Sequence, residues 1–229
     1  MRKHHFTLVE LLIVIAIIVI LAGMLVTAVT RAMGKAEQAK CRATISALFN
    51  AIKQYESTYG VMPWQKSWDT TIFKAYKNTD ITSAASVTSK PGKNDDCVIK
   101  VDDYTAFIKM LQGKGSSENL KKFNPRKIKF LEVQGSTEGE YKDPWGKDFT
   151  IVFNNTNHED FFRKGIAPGV WSSSDSAIYA SVIIWSKGLD EDERLGDSDD
   201  AIHDASNADN IYSFPVEYNK GEQRFEVTY

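Results

Sequence analysis

The 229-residue chain has two cysteines, Cys41 and Cys97, and no CxxC pair. That excludes a disulfide scaffold and the common zinc frameworks. It has four histidines: His4 and His5 at the start, and His158 and His203 in separate polar stretches. Neither His158 nor His203 stands at an informative spacing from a nucleophile, so each reads as a solvated loop histidine. The GxGxxG, P-loop, GxSxG and HExxH signatures are absent, and the expectation is a protein that is not an enzyme. A net charge of −2 gives no reason to expect broad nucleic-acid binding. No proline occurs before Pro63, so nothing in that stretch breaks a long helix. Hydrophobic residues at 42% and charged residues at 25% exclude wholesale disorder and a polytopic membrane protein.

The averages conceal an asymmetry. Residues 1–60 carry seven Lys/Arg and three Asp/Glu, whereas residues 61–229 carry 21 and 27. Of the 26 aromatics, only Phe6, Phe49, Tyr55 and Tyr59 fall in the first 60 residues. The chain reads as a basic, aliphatic rod followed by an acidic, aromatic-rich globule. The globule, at about 169 residues, is long enough to bury its own core.

Residues 11–29 hold no charge. Nineteen residues of helix span roughly 28 Å, enough to cross a bilayer core. A short basic leader, Met1-Arg2-Lys3-His4-His5, precedes Phe6-Thr7-Leu8-Val9-Glu10 and the run. A secretory signal peptide with a cut near Val26-Thr27-Ala28 and a plain signal anchor both fit the run alone. Neither explains Glu10. A carboxylate beside the lipid costs a few kcal/mol on insertion scales, so it implies an interfacial location or a positive partner.

Phe6 to Glu10, with the apolar run behind them, resemble the class III signal of type IV pilins and type II secretion pseudopilins. The resemblance implies cleavage by a prepilin peptidase between His5 and Phe6 and N-methylation of Phe6. It also implies that Glu10 pairs with the amine of a neighbouring subunit. His5 stands where the family has Gly. Thr27 stands where many members have Pro, so no kink is expected there. Counting cations, two before the run and four just after it (Arg31, Lys35, Lys40, Arg42), favours the opposite orientation. The resemblance implies an N-terminus inside.

Apolar positions continue at steps of three and four from Ala32 through Ile45, Leu48, Ile52 and Tyr55 to Tyr59. Gly60 and Pro63 form a helix stop. One helix over 6–59 is predicted, roughly 80 Å long. The predicted fold is α+β: this helix packed on a small antiparallel sheet. The divisions are a leader 1–5, a membrane-spanning helix half 6–29, an amphipathic half 30–59 and a globule 60–229. Within the globule, 64–96 reads as loop and 104–111 as helix. Residues 127–133, 149–153, 177–185 and 224–229 read as strands, with a hairpin turn at Asn219-Lys220-Gly221. Cys97 is placed in a loop, and a Cys41–Cys97 pair stays open because their separation is unknown.

Three phrases of the globule also resemble the major pseudopilins. Asp143-Pro144-Trp145-Gly146 is a good type I turn on physics alone, and it matches the family's DPWG. Ser186-Lys187-Gly188-Leu189-Asp190 is similar to the Ser-x-Gly-x-Asp that opens a calcium loop. Asp209-Asn210-Ile211 is similar to its Asp-Asp-Ile close. From Asp190 to Asp209 inclusive there are nine acids and one arginine. A solvated loop explains such a run. So does a Ca²⁺ site using Asp190, Asp209, Asn210 and a carbonyl near Lys187, because Ca²⁺ favours clustered oxygens. An EF-hand is not supported.

The resemblance implies a structural subunit of a type II secretion pseudopilus in the bacterial inner membrane, its globule in the periplasm. It would self-assemble into a helical filament and work with a prepilin peptidase, a secretion platform and an ATPase. A type IV pilin for adhesion or DNA uptake is one alternative. A membrane-anchored, calcium-dependent binding domain that never polymerises is another.

Overall fold

The computed structural model describes residues 8–77, 89–92, 95, 97–132, 137–155, 161–162, 166–168, 170–171, 178–190, 192, 205–214, 216–222 and 224–228. Helix α1 (Leu8–Tyr59) runs 52 residues without a break. The chain forms two compact units, Met1–Lys40 and Cys41–Tyr229.

In the first unit the described residues are all helix. The large apolar side chains from Leu8 to Met33 are 46–79% exposed. A helix apolar on every side has no polar face to offer water. It is long and apolar enough to cross a membrane.

In the second unit α1 becomes one-sided. Cys41, Thr44, Ile45, Leu48, Ala51, Ile52 and Tyr55 are buried, at the three- and four-residue steps of one face. Burying side chains such as Ile45, Leu48 and Ile52 contributes roughly 1.5–3 kcal/mol each relative to exposure. The helix ends where Gly60 N–H donates to the Glu56 carbonyl at 2.7 Å. A short α2 (Pro63–Lys66) follows, with proline in its first turn.

The strands are β1 (Phe73–Lys77), β2 (Cys97–Val101), β3 (Thr150–Asn154), β4 (Phe161–Phe162), β5 (Val170–Trp171), β6 (Ile178–Tyr179), β7 (Val182–Ser186), β8 (Ile211–Tyr212), β9 (Val216–Asn219) and β10 (Arg224–Val227). The main sheet has the order β1-β2-β3-β7-β8, antiparallel throughout. Its side chains alternate between two cores. Ile99, Ile151, Phe153, Val182 and Ile184 lie in the core that includes the α1 face. Val98, Val152, Ile183 and Trp185 lie in a second core with Phe162, Val170 and Phe225 from the smaller sheets. A sheet buried on both faces reads as continuous apolar runs, which is what β3 and β7 are.

The α+β architecture and the helix stop stand as expected. So does helix α3 (Tyr104–Leu111), capped where Asp103 Oδ1 accepts from Ala106 N–H at 2.9 Å. The turn after Asn219 joins β9 and β10, an antiparallel hairpin. Six details differ. Residues 127–132 are not a strand, because Asn124 holds the segment instead. Its side chain accepts from Ile128 N–H at 3.0 Å and donates to the Ile128 carbonyl at 2.8 Å. Phe130 and Leu131 N–H then share one carbonyl, that of Leu111. The strand expected over 177–185 is two, β6 and β7, which pair in different sheets. The stretch 64–96 contains β1, and Cys97 opens β2 rather than lying in a loop. Helix α4 (Ser117–Phe123), capped by Ser116, was not foreseen. The smaller three-stranded sheet also contains one parallel pair, β5 with β10.

Candidate functional site

The turn Asp143-Pro144-Trp145-Gly146 closes with Gly146 N–H donating to the Asp143 carbonyl at 3.1 Å. Gly146 takes a φ of 89°, where side chains are strained. The Asp143 carboxylate is 5% exposed and fully engaged. Its Oδ1 accepts from Trp145 N–H at 3.1 Å and Lys147 N–H at 2.8 Å. Its Oδ2 accepts from Ser186 Oγ at 2.7 Å. Ser186 ends β7, fully buried, and its Oγ in turn accepts from Gly188 N–H at 3.2 Å. Cys41 of α1 lies beside Ser186 and Asp143, close enough for both to act on its thiol. Burial pushes the Cys41 thiol up from its ordinary 9.0 to about 11, and the Asp143 charge adds to the rise.

One chain of contacts therefore joins the helix, the turn and the start of the Ser-x-Gly-x-Asp phrase. Sequence reasoning found Asp143 and Ser186 as members of two separate phrases. It missed that they touch, and it missed Cys41. No spacing signal marks residues 43 apart as neighbours.

The second half of the site lies one step on. Asp209 Oδ2 accepts from Leu189 N–H at 2.5 Å and Asp190 N–H at 3.1 Å. The two ends of the acidic stretch are thus tied together. Gly188 sits under this clasp with a φ of 76°, and a Cβ there would lie 2.4 Å from Asp209 Cγ. Burial raises the Asp209 pKa and the Asp190 charge raises it further, against the lowering by the two N–H donors.

Among the described residues, two oxygens here are buried without a hydrogen-bond partner, Asp209 Oδ1 and Asn210 Oδ1. Asn210 is 4% exposed and donates through Nδ2 to Asn207 Oδ1 at 3.2 Å. It also lines a cavity of about 120 Å³ with Arg42, Tyr212, Phe214 and Phe225. Orphaned buried oxygens cost free energy unless something donates or coordinates. A hard cation satisfies acceptor-only oxygens of this kind. Among the described residues no group of three or more His, Cys, Asp or Glu forms a ready metal site. The donor set fits Ca²⁺ in kind and is partial in number.

The other predicted site residues are distributed as follows. Lys187 lies between Ser186 and Gly188, and Asp190 lies at the clasp; its Oδ1 accepts from Asp192 N–H at 3.0 Å. Glu10 stands exposed in the first turn of α1. His5 and Phe6 lie outside the described residues, as do the loop histidines His158 and His203. Cys41 and Cys97 are both buried and form no disulfide with each other.

No protein-family model matches the chain, and neither a curated protein nor a solved structure is significantly similar to it.

Proposed function

We propose that the chain is a pilin-like structural subunit, of the type II secretion pseudopilin kind, that polymerises through its N-terminal helix. One observation carries the reading. A single uninterrupted helix changes from apolar on every side to one-sided, with its one-sided part seated in the core of its own globule. A plain anchor needs a span and a linker; it does not need 52 residues of continuous helix. The bond between Asp143 and Ser186 supports the same reading, because two phrases of the resemblance meet in one cluster.

On this reading the peptidase cuts between His5 and Phe6, and Glu10 offsets the new amine of a neighbour. The subunits wait in the inner membrane with the globule in the periplasm. Growth of a short filament, driven by platform and ATPase partners, pushes substrates outward. Ca²⁺ held by Asp209 and Asn210, with Asp190 and a carbonyl near Lys187, would supply positive charge to the acidic stretch and stiffen it.

Glu10→Ala tests the reading in the full chain. Removing one partner of a buried ion pair typically costs about 3–5 kcal/mol. Intersubunit crosslinks should therefore disappear while membrane insertion persists. Unchanged crosslinking would leave a membrane-anchored binding domain as the better description.

A further inference from the structure

Residues 121–129 hold five Lys/Arg and no Asp/Glu, in a globule that is acidic as a whole. The fold adds to this charge. Lys122, in the last turn of α4, reaches Asp69 at 4.0 Å, just ahead of β1. Phe123 meets Phe73 of β1 ring to ring at 5.8 Å. Beside them the Tyr59 ring carries two cations, Lys66 Nζ at 4.9 Å from its centroid and Arg126 Cζ at 5.8 Å. The nearby acids are engaged: Glu118 and Asp69 by Lys122, and Glu132 by Lys129. Lys66, Lys121, Arg126 and Lys127 are exposed. Among the described residues no carboxylate lies within ion-pair distance of any of the four. Like charges gathered on one surface repel, and an anionic partner relieves that cost.

The opposite charge is concentrated in one stretch of the sequence. The stretch 190–209, with nine acids and one arginine, connects β7 to β8. In the order β1-β2-β3-β7-β8, β1 and β8 are the two edges. Four strand spacings separate them by about 19 Å. A molecule with a basic surface and an acidic connection is complementary to its own copies.

We infer that the basic surface formed by Lys66, Lys121, Arg126 and Lys127 is the docking site for the acidic 190–209 segment of a second copy of this chain. The contact uses different surfaces on the two partners, so it is head-to-tail and repeats without closing unless the rotation forms a ring. This inference rests on the subunit reading above and adds to it a contact between globules, independent of the helix.

The test uses the full chain in mild detergent, as an equal mixture of ¹⁵N-labelled and unlabelled copies. Carbodiimide coupling joins a lysine amine to a carboxylate with loss of water and leaves no spacer. Coupled peptides of mixed isotope should link Lys121 or Lys127 to acids of 190–209. Sedimentation should show self-association that falls in 1 M salt, where the Debye length shrinks to about 3 Å. Lys121→Glu with Lys127→Glu should weaken association about tenfold or more, and so should Asp199→Lys with Asp200→Lys. Mixing these two variants in equal amounts should restore it, because each then meets its complement. Circular dichroism checks that both are folded.

Coupling confined to one isotope would place the contact within a chain and overturn the inference. So would reversals without effect, or a mixture that does not recover. Loss of duplex-DNA binding in the lysine variant, with association unchanged, would make nucleic acid the partner instead. A chain that fails to associate at any salt would overturn the subunit reading itself.

Discussion

Asp143 is the side chain on which most of the local order depends. Its three accepted hydrogen bonds hold the turn and the end of β7. A hydrogen bond to a charged group is worth about 1.5–3 kcal/mol, and a donor left unpaired in the interior costs about 1–3. Asp143→Ala should therefore lower unfolding stability by about 3 kcal/mol or more, read by denaturant melting on tryptophan fluorescence. Asp143→Asn keeps one acceptor oxygen and should cost less than half as much. Equal losses would mean that the retained oxygen, with its two N–H donors, contributes nothing. Cys41 responds to the same surroundings. With its thiol held near 11 rather than 9.0, the thiolate fraction at pH 8 falls about a hundredfold. Thiol reagents at pH 8 should label it in the native chain about a hundred times more slowly than in the unfolded chain, by peptide mass mapping. Because the folded value is the higher one, this contribution to stability is whole below about pH 9. It is lost as pH rises through about 11.

At the scale of elements, the clasp between Asp209 and the start of the acidic stretch makes two glycines unequal. Both take left-handed φ values, but a Cβ at Gly146 meets open space, whereas at Gly188 it meets Asp209. Gly146→Ala should cost about 1–2 kcal/mol from conformation alone. Gly188→Ala should cost more, because Asp209 must move and release two N–H groups; thermal melting of the pair reads the difference. The calcium proposal is tested on the same element. Melting in calcium against chelator should show a rise of about 2.7 kcal/mol at 100 times the dissociation constant. The rise should vanish in Asp209→Ala. In chelator, stability should fall as pH rises through the raised Asp209 pKa, and bound calcium should cancel that fall. Identical melts would return 190–209 to a plain solvated stretch.

What could be read beforehand also divides by element. Helix α1 and the hairpin β9–β10 were legible because period, breakers and turn residues are local. The segment 127–132 misled because its β-rich composition yields to Asn124, a side chain outside the segment. Strands β1 and β2 were missed because FKAYK and CVIKV offer little alternation; pairing with each other makes them strands. At the site, residue types were legible and adjacency was not. The Asp143–Ser186 bond depends on β3 and β7 lying side by side.

For the whole molecule, the two compact units divide after Lys40, inside α1, and not at residue 60, where the charge and aromatic content of the sequence changes. Glu10 lies in the first and all five tryptophans in the second. Glu10→Ala, the assembly test above, should leave tryptophan-monitored melting of the globule unchanged. A shift of more than about 1 kcal/mol would mean that Glu10 also serves folding. The clasp has one more consequence. Asp209 brings Leu189 and Asp190 to its own carboxylate, so the stretch strung between begins and ends at one point. The entropy of closing such a stretch grows only logarithmically, about 0.6 kcal/mol for each doubling of length. The chain can lengthen there almost without penalty, which makes this the natural place to graft a peptide tag or a foreign epitope while the strands beneath keep their register.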